Sequence, residues 1–382
     1  MQSLIKLVML IVFLGVLPKG IYAQGGETAV PFLLLAPDSR AGGMGESGVG
    51  LADNSSAIFW NPAGIGFLKG KELSITHSNW LPQFNLDLFY DYLTYRQYVE
   101  SLNGSITASV TYMNFGEFVR TGPDDPTPLG TFNAFDAALT LGYATKISDN
   151  MGLGFNFRLI HSRLSDQPVA LEQGKGTATS ISFDIGWMWR PDQFNIPLLG
   201  DLSKRFSLGI NLSNLGPKIN YIDQAQADPI PTNLRVGMAI QLFHNDFNSF
   251  IYTFDMSKLL VVRDSTGAEN FYKAIFSSWS KKPVFRSIDY SMGVEYTYGI
   301  PGDFLFSLRT GFFYEDPSFG NRKFVAFGAG IRFDIYGFDF SYITTSVFKG
   351  GANHPLSDTL RFSVSIGWGG IQTNTVGLPR GI

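Results

Sequence analysis

The residues with the clearest chemical pattern are the glycines of "GGMGESG", residues 42–48. Gly43, Gly45 and Gly48 have the G-x-G-x-x-G spacing of a dinucleotide-binding loop. Such a loop needs a buried strand before it and a helix after it, so that helix N–H groups meet the pyrophosphate. Here Asp38 interrupts the approach, and the following "VGLADNSSAIFWNPAG" is rich in residues that break helices. The sequence therefore predicts no nucleotide site, and the glycines need another explanation.

Other reactive side chains are scattered along the chain. The four histidines, His77, His161, His244 and His354, are far apart and lack metal-ligand spacing. The chain has no cysteine, so no thiolate can act as nucleophile or ligand. No nucleophile–base arrangement is recognisable. We predict no catalytic residue, no metal site and no cofactor.

The N-terminus has the pattern of a secretory signal peptide. Lys6 precedes an apolar run from Leu7 to Leu17, and "IYA" before Gln24 is a plausible cleavage site. The alternative is a membrane anchor, but the run has 11 residues and a spanning helix needs roughly 20. We predict that residues 1–23 are a signal peptide and that the protein is exported.

Composition narrows the class further. Charged residues make up 16% of the chain, below the roughly 25% typical of soluble domains, while aromatic residues make up 15%. The net charge of −3 argues against a nucleic-acid partner. Mean hydropathy is only +0.06, and no later apolar run is long enough to form a spanning helix. An exported chain of this kind is typical of a transmembrane β-barrel.

Alternation with a period of two supports this class. In "TLRFSVSIGW", Phe362 and Val364 share one face, whereas Ser363 and Ser365 share the other. An outer-membrane barrel turns its apolar face to lipid and its small or polar face to the lumen. The same pattern predicts fourteen strands, at about 71–80, 86–96, 104–119, 132–147, 151–164, 176–190, 205–214, 232–244, 248–260, 287–299, 303–315, 322–336, 338–347 and 358–368.

The connections between these strands sort by length. Short ones such as "ISDNM" and "NDFN" follow even-numbered strands, whereas long ones such as "SRLSDQPVALEQGKG" follow odd-numbered strands. Barrels of this class have short periplasmic turns and long extracellular loops. We therefore expect both termini in the periplasm.

Ten charged residues fall on the face predicted to line the lumen. We predict that they form a structural network of ion pairs, although paired carboxylates could also serve acid–base catalysis. They are Asp136, Arg158, Asp184, Arg235, Asp289, Glu295, Arg309, Arg332, Asp334 and Arg361.

The loop after the ninth strand contains the best helical stretch, 268–282. Phe271, Ile275 and Trp279 fall on one side of it at helical spacing. They are candidates for docking a partner protein. The alternatives are packing across the barrel mouth or contact with lipid headgroups, where tryptophan is common.

Four strings extend these inferences through a resemblance. "GLADNSSAIFWNPAGIG" resembles the N-terminal region of the FadL-like outer-membrane transporters, whose fold is a fourteen-stranded barrel with an N-terminal hatch. "AVPFLLLAPDSRAGGMGESGVG", "SNLGPKINYIDQAQADPIPTNLRVG" and "HPLSDTLRFSVSIGW" resemble the PorV (LptO) family of the type IX secretion system.

The resemblance implies an all-β antiparallel barrel in the bacterial outer membrane. Residues 24–70 would form a hatch-like segment, 71–368 the barrel and 369–382 a periplasmic tail. The glycines of residues 42–48 would then let backbone pass tightly at the lumen or hatch. The implied partners are the type IX translocon, cargo proteins with C-terminal sorting domains, and outer-membrane lipid, with no nucleotide or nucleic acid. The alternative function is a FadL-type channel for hydrophobic small molecules.

Overall fold

The computed structural model describes residues 28–121, 125, 127–165, 176–197, 200–221, 227–264, 267–300, 303–348 and 354–369. The predicted signal peptide lies outside these residues, as does the predicted tail beyond Gly369.

Fourteen antiparallel strands form one closed barrel, which confirms the predicted fold class. Strand β1 pairs with both β2 and β14, and this pairing closes the wall. The strands are β1 (Lys71–Asn79), β2 (Phe89–Val99), β3 (Gly104–Thr121), β4 (Pro128–Ser148), β5 (Met151–Arg163), β6 (Thr177–Trp189), β7 (Phe206–Leu215), β8 (Asn233–His244), β9 (Asn248–Leu259), β10 (Ile288–Gly299), β11 (Phe304–Tyr314), β12 (Lys323–Phe333), β13 (Tyr336–Thr344) and β14 (Thr359–Trp368).

Burial alternates along these strands as the sequence pattern predicts. In β14, Val364 is 43% exposed on the outer surface, whereas the neighbouring Ser363 and Ser365 face the lumen and are buried. The clearest boundary difference lies between β12 and β13. Asp334 has φ of 50° and begins the turn that separates the two strands, so the extended strand ends one position earlier than predicted. Its side chain is exposed and lines the open space at the periplasmic end of the lumen.

The ends of the barrel differ in their connections. Turns after even-numbered strands are short, as at 149–150 and 334–335, whereas 216–232 and 260–287 follow odd-numbered strands. An exception is the connection 190–205, which carries a small two-stranded hairpin. Loop lengths of this kind place the odd-numbered connections outside the cell.

Strands β3 and β4 are much longer than their neighbours. They contain 18 and 21 residues, and their pairing continues beyond a bulge between Asn114 and Glu117. Neither β2 nor β5 continues beside this outer part, since β2 begins at Phe89 opposite Asn114 and β5 ends at Arg163 opposite Phe135. The outer part of the hairpin therefore projects from the extracellular rim as a two-stranded ribbon.

Residues 28–70 precede the first strand and fill the lumen; we call them the plug. Helix α1 (Ser39–Gly43) contacts β11 to β14, whereas the 3-10 helix Pro62–Phe67 contacts β3 to β7. Helix α2 (Ala57–Trp60) lies between them in the chain. Because most plug residues are buried and they touch strands around much of the wall, the segment lies inside the barrel.

Glycines allow plug and wall to meet at their backbones. A Cβ atom at Gly311 of β11 would lie 2.1 Å from the carbonyl carbon of Met44. Gly45 itself has φ of 69°, and a Cβ there would lie 2.5 Å from the backbone nitrogen of Phe312. The G-x-G-x-x-G spacing therefore belongs to a tight turn pressed against the wall, where any larger residue would collide.

Candidate functional site

The centre of the lumen contains an ion network that joins the plug to the wall. The guanidinium of Arg40 donates to both carboxylate oxygens of Glu295 at 2.8 and 2.7 Å and to Asp53 at 2.6 Å. Glu295 also accepts from Arg309 at 2.6 Å, and Arg309 donates to Asp339 at 2.7 Å. All five side chains are buried. Charges removed from water in this way are tolerated only when they are paired and hydrogen-bonded.

Further polar contacts join the plug to the wall outside this network. Arg361 of β14 donates to Glu46 at 3.0 Å. The carboxylate of Asp255 accepts from the backbone nitrogens of Gly48 and Val49 at 2.7 and 2.8 Å. The turn that contains the glycine motif is thus held by side chains from two different strands of the wall, β9 and β14.

Several predicted lumenal charges meet one another. Glu295 pairs with Arg309, as described above, and Arg158 pairs with Asp184 at 2.7 Å. Arg332 lies only 3.8 Å from Asp339, at the edge of an ion-pair contact. These positions share the inward face of the wall because strand alternation puts them there.

Other predicted charges do not join that network. Arg235 lies over the rings of Phe59 and Trp60 at 4.7 and 5.2 Å, a cation–π arrangement with the plug. Asp136 is buried opposite Ser162 in register, and Asp289 lies 3.8 Å from Arg322.

Sequence reasoning missed essential members of the network. Asp339 and Asp255 follow the same inward alternation as the predicted charges, so extending the pattern along β13 and β9 would have found them. Arg40, Glu46 and Asp53 belong to the plug, which has no strand period, and no local signal identifies their partners.

A polar cavity of about 350 Å³ lies at the periplasmic end of the lumen. Its lining includes Lys69, Glu72, Arg96 and Asp303. A second space, of about 10 Å³, lies beside Tyr90 and shares no lining residue with the first. The plug occupies the lumen between these two spaces.

Helix α3 (Phe271–Lys281) forms in the predicted loop, but it turns a different face outward. Ala274 and Ser278 are buried, and Phe271 and Ile275 beside them are half-buried. The predicted docking trio is therefore split, with only Trp279 substantially exposed. The cause is the pair of small residues, which lets this side of the helix approach the protein closely.

The projecting ribbon of β3 and β4 carries a second apolar surface. Val119 and Leu129 are 57% and 64% exposed, and the rings of Phe118 and Phe132 stack with centroids 5.7 Å apart. Large exposed apolar groups of this kind mark sites of interaction.

The described part of the chain contains no cluster of three or more His, Cys, Asp or Glu side chains arranged to hold a metal ion. Within the same residues, no helix is long and apolar enough to cross a membrane.

Residues 23–266 match the family described as "Type IX secretion system protein PorV". The chain belongs to the PorV family. Members of this family are outer-membrane proteins associated with type IX secretion, and this PorV-family chain has the barrel that such a location requires. No curated protein matches the sequence significantly.

Solved structures show that the PorV-family chain has the fold of FadL-like outer-membrane transporters. A Pseudomonas aeruginosa FadL homologue has a TM-score of 0.51 and 13% identity, covering 90% of this chain and 99% of its own. The P. putida toluene transporter TodX has a TM-score of 0.50 and 11% identity, covering 87% of this chain and 98% of its own. At these identities the likeness concerns the fold alone.

Proposed function

We propose that this protein receives cargo with C-terminal sorting domains from the type IX translocon and passes it to the surface attachment machinery. We further propose that it does so with its extracellular surface rather than through its lumen. The observation that carries this proposal is the plug, which is bound to the wall by buried ion pairs around Glu295 and by backbone contacts at Gly311. A folded cargo has no room to pass such a segment.

The ribbon of β3 and β4 is the proposed contact surface for the translocon or cargo. Isolated two-stranded hairpins are marginally stable in water, and their outer edges have unpaired backbone groups. A partner that covers Phe118, Val119 and Leu129 would bury apolar area and could also pair with an edge strand.

The proposal that cargo does not pass through the lumen can be tested with an engineered disulfide that fixes the plug to the wall. The chain has no cysteine of its own that would interfere. The Oγ atoms of Ser39 in the plug and Ser363 in β14 are 2.9 Å apart, so Ser39→Cys with Ser363→Cys should form a crosslink. A matched control, Thr76→Cys with Ser363→Cys, links two wall positions whose hydroxyl oxygens are 2.6 Å apart. We expect normal cargo export after oxidation of either pair. Export that fails only with the plug crosslink would mean that the plug must move.

The ribbon can be tested by the triple substitution Phe118→Ser, Val119→Ser and Leu129→Ser. Glu117→Ser with Thr131→Ser alters exposed polar positions of the same ribbon and serves as the control. After folding is checked by heat-dependent electrophoretic mobility, co-purification of the translocon is measured. We expect loss of the partner in the triple variant only; full recovery would exclude this surface.

A FadL-type channel for hydrophobic small molecules is the second candidate. It is favoured by the shared fold and by the cavity at the periplasmic end. The charged lining of that cavity, with Arg96 and Glu72 in contact at 2.9 Å, is poorly suited to an apolar solute. Uptake of a hydrophobic substrate that stops when the plug is crosslinked would support the channel.

A further inference from the structure

The segment from Phe271 to Ile288 has an unusual charge. It contains four basic residues and no acidic one, although the whole chain has a net charge of −3. It also contains eight residues of the types Val, Ile, Phe, Tyr and Trp. A basic, aromatic-rich amphipathic helix is the pattern of an element that lies in the surface of a membrane.

The segment lies against the outer surface of the barrel wall. Lys258 follows Phe254 and Met256 at the outward positions of β9, yet it is only 2% exposed. Its ammonium group lies 5.2 Å from the ring centre of Trp279 and donates to Ser287. On the next strand, the hydroxyl of the outward-facing Tyr290 donates to the backbone oxygen of Phe285 at 3.4 Å. Helix α3 and the turn after it therefore lie beside the wall rather than across its mouth.

The free side of this segment is strongly apolar. Phe276 and Phe285 are 77% and 81% exposed, the highest values for large hydrophobic side chains that the structure describes. Tyr272, at 54%, and Trp279, at 40%, extend the same surface. This surface continues from the lipid-facing wall of β9 and β10, and apolar side chains there face hydrocarbon.

Basic groups accompany the aromatic ones, and one of them, Lys281, pairs with Glu269 just before the helix. Lys273 is exposed, and Lys282 lies 6.0 Å from the ring centre of Phe319. Arg286 donates to both carboxylate oxygens of Asp316 at 3.2 and 3.1 Å. Burial raises the pKa of Asp316, but hydrogen bonds from Arg286 and Ser318 outweigh it and lower the pKa below its usual value. The ionised carboxylate thus anchors the turn to the neighbouring loop.

We propose that helix α3 and the turn to Ile288 lie on the outer leaflet and bind anionic lipid headgroups. The aromatic side chains occupy the headgroup region, where amphipathic rings are favoured. Lys273 and Lys282 face the negatively charged groups of the lipids. A protein partner is a weaker explanation, because the exposed rings lie beside the lipid-facing wall and extend it.

The test uses a single cysteine at the most informative position, Phe276→Cys, labelled with a fluorophore and reconstituted into vesicles. Thr127→Cys, at the tip of the β3–β4 ribbon, is the matched control because it is also exposed and extracellular. The vesicles are phosphatidylcholine with and without phosphatidylglycerol, and nitroxide-labelled headgroups act as the quencher. We expect quenching of the label at 276 and protection from aqueous acrylamide, with the opposite behaviour at 127.

Charge is tested by adding Lys273→Gln and Lys282→Gln to the labelled protein. We expect the ratio of docked to undocked label to fall roughly fivefold for each charge removed, in anionic vesicles only. Tyr272→Cys provides a second labelling site if the variant at 276 does not fold. Equal access of acrylamide to positions 276 and 127 would overturn the proposal. The proposal would also be overturned if docking of the label changed neither with the lysine substitutions nor with the lipid composition. Such a result would mean that the segment does not recognise anionic headgroups.

Discussion

The plug contacts two parts of the barrel wall in different ways. Around α1, its contacts with the wall depend on charges centred on Glu295 of β10. Around the 3-10 helix Pro62–Phe67, its contacts with β3 to β6 form an apolar cluster that includes Ile65, Ile160 and Met188. Removing one member of the charged network strongly destabilises the protein, because the remaining charges are left buried without a partner. The apolar cluster loses free energy gradually with the volume removed.

The largest effect is expected at the centre of the charged side. Glu295→Gln removes the charge that Arg40 and Arg309 share, and breaking a buried pair costs about 3–5 kcal/mol. The free energy of unfolding in urea, measured on the purified barrel, checks this value. Asp303→Asn, which alters an exposed carboxylate at the periplasmic end of the lumen, should change the free energy of unfolding little. A small loss for Glu295→Gln would show that the network is not needed to hold the plug.

The next largest effect is expected when an arginine is placed on the outer surface of the wall rather than in the lumen. Val364→Arg places a charge among lipid tails and should cost about 2–4 kcal/mol. Ser365→Arg points inward, beside the polar periplasmic cavity, and should be milder. Unfolding of both variants in lipid vesicles measures the difference. The reverse order would contradict the inward and outward assignments of β14.

A smaller effect is expected on the apolar side of the plug. Ile65 is fully buried, and Ile65→Val removes one methylene group at a cost of about 0.5–1.5 kcal/mol. Ile75→Val, on the lipid-facing surface at 54% exposure, is the control and should cost less. A loss at Ile65 as large as that of Glu295→Gln would remove the distinction between the two sides.

The smallest effects are expected at the edge of the charged network. Arg332 is 36% exposed in its side chain and only 3.8 Å from Asp339, so Arg332→Leu should cost less than about 1 kcal/mol. Asp334→Leu alters an exposed turn and should be close to neutral. Thermal denaturation of both variants measures these values. A large loss of stability for Asp334→Leu would indicate that this carboxylate takes part in the network.

Strand positions could be predicted from the sequence, whereas the plug could not. Alternation along β14 fixes which of Val364 and Ser365 meets lipid, because a barrel wall has only two faces. The partner of Glu295 lies 255 residues away at Arg40, in a segment without periodicity. Helix α3 shows the same limit: its helical spacing is evident in the sequence, but the side that packs is set by how closely Ala274 and Ser278 approach the rest of the protein.

The position of the plug also has a kinetic consequence. Strand β1 starts at Lys71, directly after the plug, and the wall closes only when it pairs with β14, the last strand of the barrel in the sequence. The backbone of the plug touches the inside of the wall at Gly311 and Gly328, so insertion into an already closed wall would have to bring it into these close contacts from one end. We therefore predict that docking of the plug precedes closure of the seam. We predict that Gly311→Val slows the appearance of the heat-sensitive folded form in a pulse-chase experiment; an unchanged rate would mean that closure does not wait for the plug.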